Sequence, residues 1–362
     1  MKLHLIFIGN KFIYNKVLRD YVIRKVEQKV DFIDNITYLK ESDNSLFLYL
    51  EEELNLENKV IIVTTKQNFS TVGKLLCTAT SDNQVLKNGI LIPQKATLFQ
   101  EGTYLLEYEN SMVNVLHTDE GLQMPEVLMF NQNSTDVVHI FDEDKETAIA
   151  ILNPIAQTFD VNMNITQLVY GWLRMDISSN KYGNISKFIE SAKQLLPKNL
   201  IATPSIAQHI IKKLQSSTKK LTFAESCTGG LLSYYLTQHN GTSEVFDGSL
   251  VTYSNILKEN WLAVSSDILQ EHGAVSSEVV EEMSDGALNV SASDYALSVS
   301  GIAGDGGGTE LKPVGTVYIS VRSKNNHKEE HLLFQGDRNY IQHQSALYAL
   351  KMLILIDKEL FF

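Results

Sequence analysis

The chain has 362 residues, 44% of them hydrophobic and 20% charged, with a formal net charge of −12. This is the composition of a folded globular protein with room for two or three domains, and its negative balance argues against non-specific binding to a phosphate backbone. Cys77 and Cys227 show no CxxC spacing and no apolar run reaches transmembrane length, so a reduced cytoplasmic setting without membrane contact is expected.

Residues 3–8 form a continuous apolar run ending in Gly9, the pattern of a buried parallel strand. Apolar residues at Val17, Leu18, Tyr21, Val22 and Val26 predict a helix within 14–30. A second helix at 46–54 and a second buried strand at 60–65 complete an alternating α/β pattern over residues 1–125. The turns after its strands are chemically poor. Gly9-Asn10-Lys11 is no glycine-rich phosphate loop, and residues 64–73 contain no carboxylate.

Residues 126–205 read as a β-α-β-α linking module. A strand at 137–141 precedes a helix at 145–159 that Asn153-Pro154 should interrupt. Strand material bent around Gly171-Trp172 follows, then a helix ended by Pro197. The order is KH-like, but the GXXG loop that clamps a nucleic-acid backbone is missing, so RNA binding is not expected.

The last part, 206–362, opens with a helix and then carries the chemistry. Residues 221–225 read as a strand, 226–230 as a turn and 231–236 as an apolar helix. Gly229 and Gly230, with Thr228, are expected to leave N–H groups at that helix start open to an anion. Ser243 follows a Gly-Thr turn, and Tyr253 and Lys258 follow a further strand. A lysine whose pKa is lowered by burial can activate a serine hydroxyl, and the residues by themselves leave both Ser226 and Ser243 open as that serine. Cys227 and His272 are better explained by packing and by a helix end. A strand at 295–300 runs into the glycine-rich stretch Gly301 to Gly308, which matches neither a P-loop nor GxGxxG followed by a helix but can wrap an anion with backbone N–H groups. Arg338, opening the last helix, is suited to a phosphate. The histidines show no metal-ligand spacing, and no metal or cofactor is expected.

The blocks TFAESCTGG, GTSEVFDGSLVTYSNILK, HGAVSSEVVEEM, YALSVSGIAGDGGGTELKPVGTVYI and GDR, in this order, resemble the C-terminal domain of the competence-damage-inducible CinA family. The family pattern usually has Pro where this chain has Asp305. The resemblance implies an α/β amidohydrolase domain that converts nicotinamide mononucleotide to nicotinic acid mononucleotide and ammonia, without metal. Carried onto this chain, it implies Ser243 as nucleophile and Lys258 as base, with Ser226 and Tyr253 assisting. Substrate contacts are then expected from Thr228, Gly229, Gly230, Gly301, Gly304 and Arg338. It further implies a degenerate molybdopterin-binding-like domain over 1–125, and a homodimer is expected. Two other functions compete: a non-catalytic binding or regulatory protein, and an ADP-ribose diphosphatase working through residues 1–125. Lys11 stands where the family's diphosphatases place a carboxylate, which argues against the last.

Overall fold

A computed structural model describes residues 2–30, 32–56, 58–129, 134–179, 182–304 and 306–362. These fall into two compact units, Met1–Gln132 and Asn133–Phe362. The mixed α/β class expected from the sequence is what both display.

In the first unit, β1 (Leu3–Ile8) is buried along its whole length. The helix expected next is split into α1 (Asn10–Tyr14) and α2 (Lys16–Glu27). Asn15 causes the break, because its side chain caps α2 by accepting from the Leu18 N–H at 3.0 Å. Then come β2 (Asn35–Leu39), α3 (Leu46–Asn55), β3 (Lys59–Thr64) and α4 (Phe69–Ala79). A hairpin of β4 (Gln84–Lys87) and β5 (Ile90–Pro93) precedes β6 (Ala96–Gln100), β7 (Thr103–Tyr108) and β8 (Ser111–His117). The sheet order is β2-β1-β3-β8-β7-β6, with the first four strands parallel and the last two antiparallel. Just beyond the carboxyl ends of β1 and β8, the Lys11 ammonium lies 2.8 Å from both Asp119 and Glu120, and Asp119 also accepts from the Lys66 N–H at 3.0 Å. These carboxylates arrive from the segment after β8, far in sequence from the turns they meet.

The second unit holds two sheets. The strands β9 (Ser134–Phe141), β10 (Val161–Val169), β11 (Trp172–Ser179) and β12 (Leu200–Ala202) form an antiparallel sheet in the order β10-β11-β9-β12. Two helices, α5 (Lys145–Thr158) and α6 (Ile185–Leu195), accompany it. Pro154 does not interrupt α5. Both Pro154 and Ala150, whose carbonyl loses its i+4 donor, lie on the exposed side, where water can replace that bond.

From α7 (Ile206–Ser216) the chain enters β13 (Leu221–Glu225), α8 (Leu231–Thr237), α9 (Thr242–Val245) and β14 (Phe246–Val251). Next are α10 (Asn255–Leu262), α11 (Ser266–His272), α12 (Ser277–Ser291) and β15 (Tyr295–Gly301). The end is built from β16 (Thr316–Ser323), β17 (His327–Leu333), α13 (Arg338–Ile356) and α14 (Lys358–Phe361). The sheet order is β14-β13-β15-β16-β17, parallel through the first three strands. Its core is continuous with the antiparallel sheet, since Phe141, Val169, Trp172 and Ile201 pack in one cluster with α7 and α13. That shared core makes the linking module and the last sheet one unit.

The packing of α10 on α12 decides the site described below. A Cβ on Gly286 of α12 would lie 2.0 Å from the Leu262 carbonyl oxygen that ends α10. Replacing glycine by alanine inside a helix ordinarily gains about 1 kcal/mol. Here the backbone clash wins, and Gly286→Ala is expected to destabilise the unit by about 1–3 kcal/mol in denaturant titrations. A gain in stability would show that the two helices can separate freely.

Candidate active site

Three parallel strands, β14, β13 and β15, deliver their carboxyl ends to one side of the sheet. From β13 the chain crosses to β14 on one side and to β15 on the other, so a crevice opens where the strand order reverses. A cavity of about 380 Å³ lies there, lined among others by Ser226, Tyr253, Lys258, Gly301, Gly304 and Arg338.

Ser226 is the first residue after β13. Its N–H continues the sheet by donating to the Val299 carbonyl at 2.9 Å, and the turn is completed by Gly229 and Gly230 at φ +61° and +103°, values that favour glycine. Lys258 sits one turn into α10, whose N-cap Ser254 accepts from the Leu257 N–H. Although charged residues are rarely fully buried, Lys258 is only 1% exposed. Its Nζ lies 3.1 Å from Ser226 Oγ, 2.8 Å from the Thr252 carbonyl and 3.4 Å from the Tyr253 carbonyl. Burial lowers its pKa from 10.5 to about 8. In the neutral amine, two N–H groups can stay on the carbonyls while the lone pair accepts from the Ser226 hydroxyl.

The expected pairing of Ser243 with Lys258 is therefore corrected. Ser243 lies on α9, ahead of β14, whereas Tyr253 and Lys258 lie after it. A strand of six residues separates them by roughly 20 Å, and Ser243 is exposed. The hydroxyl beside Lys258 belongs to Ser226. Tyr253 lines the cavity, but what it gives Lys258 is its main-chain carbonyl; its side chain is 63% exposed.

The open helix start expected at Thr228, Gly229 and Gly230 is also corrected. Glu225, fully buried, accepts from the N–H groups of Gly230 at 2.9 Å, Leu232 at 3.1 Å and Ser233 at 3.2 Å. The protein's own carboxylate thus caps α8, and none of Thr228, Gly229 and Gly230 lines the cavity. By sequence pattern alone, Glu225 is the end of a strand. A carboxylate followed by a hydroxyl and a glycine turn at a helix start was the signal available.

Gly301, Gly304 and Arg338 do come together. A Cβ on Gly304 would lie 1.9 Å from an Arg338 Nη, so the guanidinium rests against the loop in the space that a side chain at Gly304 would take. Arg338 is exposed and has no carboxylate partner among the described residues. Asp305 lies outside the described residues. Cys227 lines the cavity as a neutral thiol, its pKa pushed up to about 12 by burial. His272 ends α11, before Gly273 as its C-cap.

The fold and site define an α/β domain with a buried serine–lysine pair at the carboxyl ends of its parallel strands. Residues 203–356 match the model of the CinA C-terminal domain, so this part of the chain is a domain of the CinA family. It is similar to the CinA-like protein of Thermotoga maritima, at 46% identity over 144 residues, which cover 40% of this chain and 35% of that protein. It is also similar to the CinA-like protein of Prochlorococcus marinus MIT 9215, at 41% identity over 177 residues, covering 46% and 41%. The match thus spans less than half the length of these relatives. The crystal structure of the competence/damage inducible protein CihA from Agrobacterium tumefaciens aligns at 37% identity with a TM-score of 0.42, covering 42% of this chain and 93% of that one.

Burial of Lys258 carries a stability cost whose pH dependence is calculable. The folded pKa lies below the unfolded one, so the unfolded chain binds more protons between pH 8 and 10.5. The cost is fully present below about pH 8 and vanishes as pH rises past 10.5. Against Lys258→Met, the wild type is expected to gain about 2 kcal/mol of relative stability between pH 7 and pH 9.5. A pH-independent difference would contradict the lowered pKa.

Proposed function

We propose that this chain hydrolyses the carboxamide of nicotinamide mononucleotide to nicotinic acid mononucleotide and ammonia, with Ser226 as nucleophile and Lys258 as its base. The observation that carries the reading is the 3.1 Å separation of Lys258 Nζ and Ser226 Oγ at the floor of the cavity. The neutral amine takes the hydroxyl proton as Oγ attacks the amide carbon. The oxyanion that forms is stabilised by the N–H of Cys227, the residue after the nucleophile, which lines the cavity and which Glu225 does not use. Lys258 returns the proton to the departing nitrogen, so the leaving group is neutral ammonia. A water molecule then hydrolyses the ester on Ser226, with the same lysine removing its proton.

Arg338 with Gly301, Gly304, Gly306 and Gly307 is the anion-binding part of this reading, taking the 5′-phosphate of the substrate. Tyr253 acts through its carbonyl on Lys258, and Ser243 takes no part. The first unit is assigned no diphosphatase role, because the Lys11 ammonium already satisfies Asp119 and Glu120. The chain acts, on this reading, as a soluble enzyme of pyridine-nucleotide salvage.

The deciding experiment is ammonia release from nicotinamide mononucleotide in the presence of a chelator. Activity is expected to rise with pH through about 8 as Lys258 loses its proton. Ser226→Ala is expected to lose on the order of 10³-fold in turnover, and Ser243→Ala to stay within about twofold of wild type. The reverse pattern would return the nucleophile to Ser243. Lys258→Arg is expected to be inactive, since guanidinium keeps its proton.

Arg338→Ala should raise KM while kcat holds, if the phosphate contact is equal in ground and transition states. The riboside lacking phosphate should be nearly indifferent to the change. Equal losses with both substrates would remove the phosphate contact from the scheme.

A further inference from the structure

Glu225 has a role in this site that neither its place in β13 nor family membership describes. Its side chain is fully buried, and no lysine, arginine or histidine pairs with it among the described residues. Five donors meet its charge instead. Oε2 accepts from the N–H groups of Gly230 at 2.9 Å and Leu232 at 3.1 Å. Oε1 accepts from the Ser233 N–H at 3.2 Å, the Ser233 hydroxyl at 2.8 Å and, at 3.1 Å, the Ser249 hydroxyl, which it shares with the Phe223 carbonyl at 3.2 Å. The first four belong to the turn and helix that follow Ser226. The fifth belongs to β14, the strand that leads to Lys258.

The main chain of Glu225 makes the same connection. Its carbonyl accepts from the Thr252 N–H at 2.9 Å, and the Thr252 carbonyl lies 2.8 Å from Lys258 Nζ. One residue therefore grips the turn that presents the serine and the strand end that cradles the lysine. We infer that Glu225 is a positioning residue of the Ser226–Lys258 pair, its carboxylate fixing the distance between hydroxyl and amine by holding both segments at once. This rests on the serine–lysine reading above. Only a carboxylate serves, because both oxygens accept. Glutamine would turn an NH₂ toward two or three donors and leave them unpaired in the interior. Aspartate is one methylene short of the helix start.

The test follows the reactivity of Ser226 itself, independently of any amide substrate. The full-length protein is treated with a fluorophosphonate, and the labelled peptide is identified by mass spectrometry across pH 6–10. In the wild type, Ser226 should label with a rate that rises through the range where Lys258 loses its proton. The Cys227 thiol stays protonated over most of that range, being pushed up to about 12.

Glu225→Gln, with rates normalised to the folded fraction, should label at least about tenfold more slowly, since small misplacements of a reacting group are costly. Its pH midpoint should move upward, because a loosened turn admits water to the ammonium. Ser249→Ala removes one donor, disturbs the interior less than Glu225→Gln, and should give a smaller loss of roughly threefold with the same direction of shift. Wild-type rates and midpoints per folded molecule in these variants would overturn the positioning role while leaving the serine–lysine reading intact. Absence of labelling at Ser226 in the wild type would overturn that reading itself.

Discussion

Everything at this site depends on keeping one lysine out of water. Lys258 is 1% exposed, and its amine is held by two carbonyls and a hydroxyl. An ammonium in that place loses hydration that three hydrogen bonds only partly replace, which is why its pKa falls to about 8. The helix that carries it is pressed onto α12 at Gly286, with no room for a side chain between them. Burial thus costs stability and leaves an amine that loses its proton near pH 8, the kind of local cost that functional sites often carry.

The second constraint is the division between two charged groups. Glu225 occupies the start of α8 from within, so that helix end is closed to a ligand. The positive charge lining the cavity beside Lys258 is instead that of Arg338, exposed and resting against Gly304. On the proposed reading, binding and chemistry then sit on separate elements, α13 with its neighbouring loop for one and the β13 and β14 ends for the other. Cys227 stands next to the serine yet remains a protonated thiol, because it is buried.

Much of this was legible in the sequence. Continuous apolar runs marked β1, β3, β13 and β15, and the glycines marked the turns that follow β13 and β15. Lys258 and Arg338 could be singled out by type and position. The partner of Lys258 could not be chosen from spacing, because Ser226 and Ser243 both precede it by plausible distances. Strand direction decides between them: Ser243 comes before β14 and Lys258 after it, at opposite ends of the sheet. Glu225 was overlooked because strand alternation treats a terminal acid as solvent-facing, and only the returning helix reveals five donors around it. Pro154 misled for a related reason, since a proline on an exposed helix side costs a bond that water replaces. Asp119 and Glu120 could not be joined to Lys11 without knowing that β8 pairs with β3.

The central claim is that the amide carbon is transferred to Ser226 before water completes the reaction. Rapid acid quenching during turnover of nicotinamide mononucleotide, followed by peptide mapping, tests it most directly. The account predicts an acyl ester on the peptide containing Ser226, located on that serine by fragmentation and absent from Ser226→Ala. An ester on Ser243 or a thioester on Cys227 while ammonia is being released would contradict it.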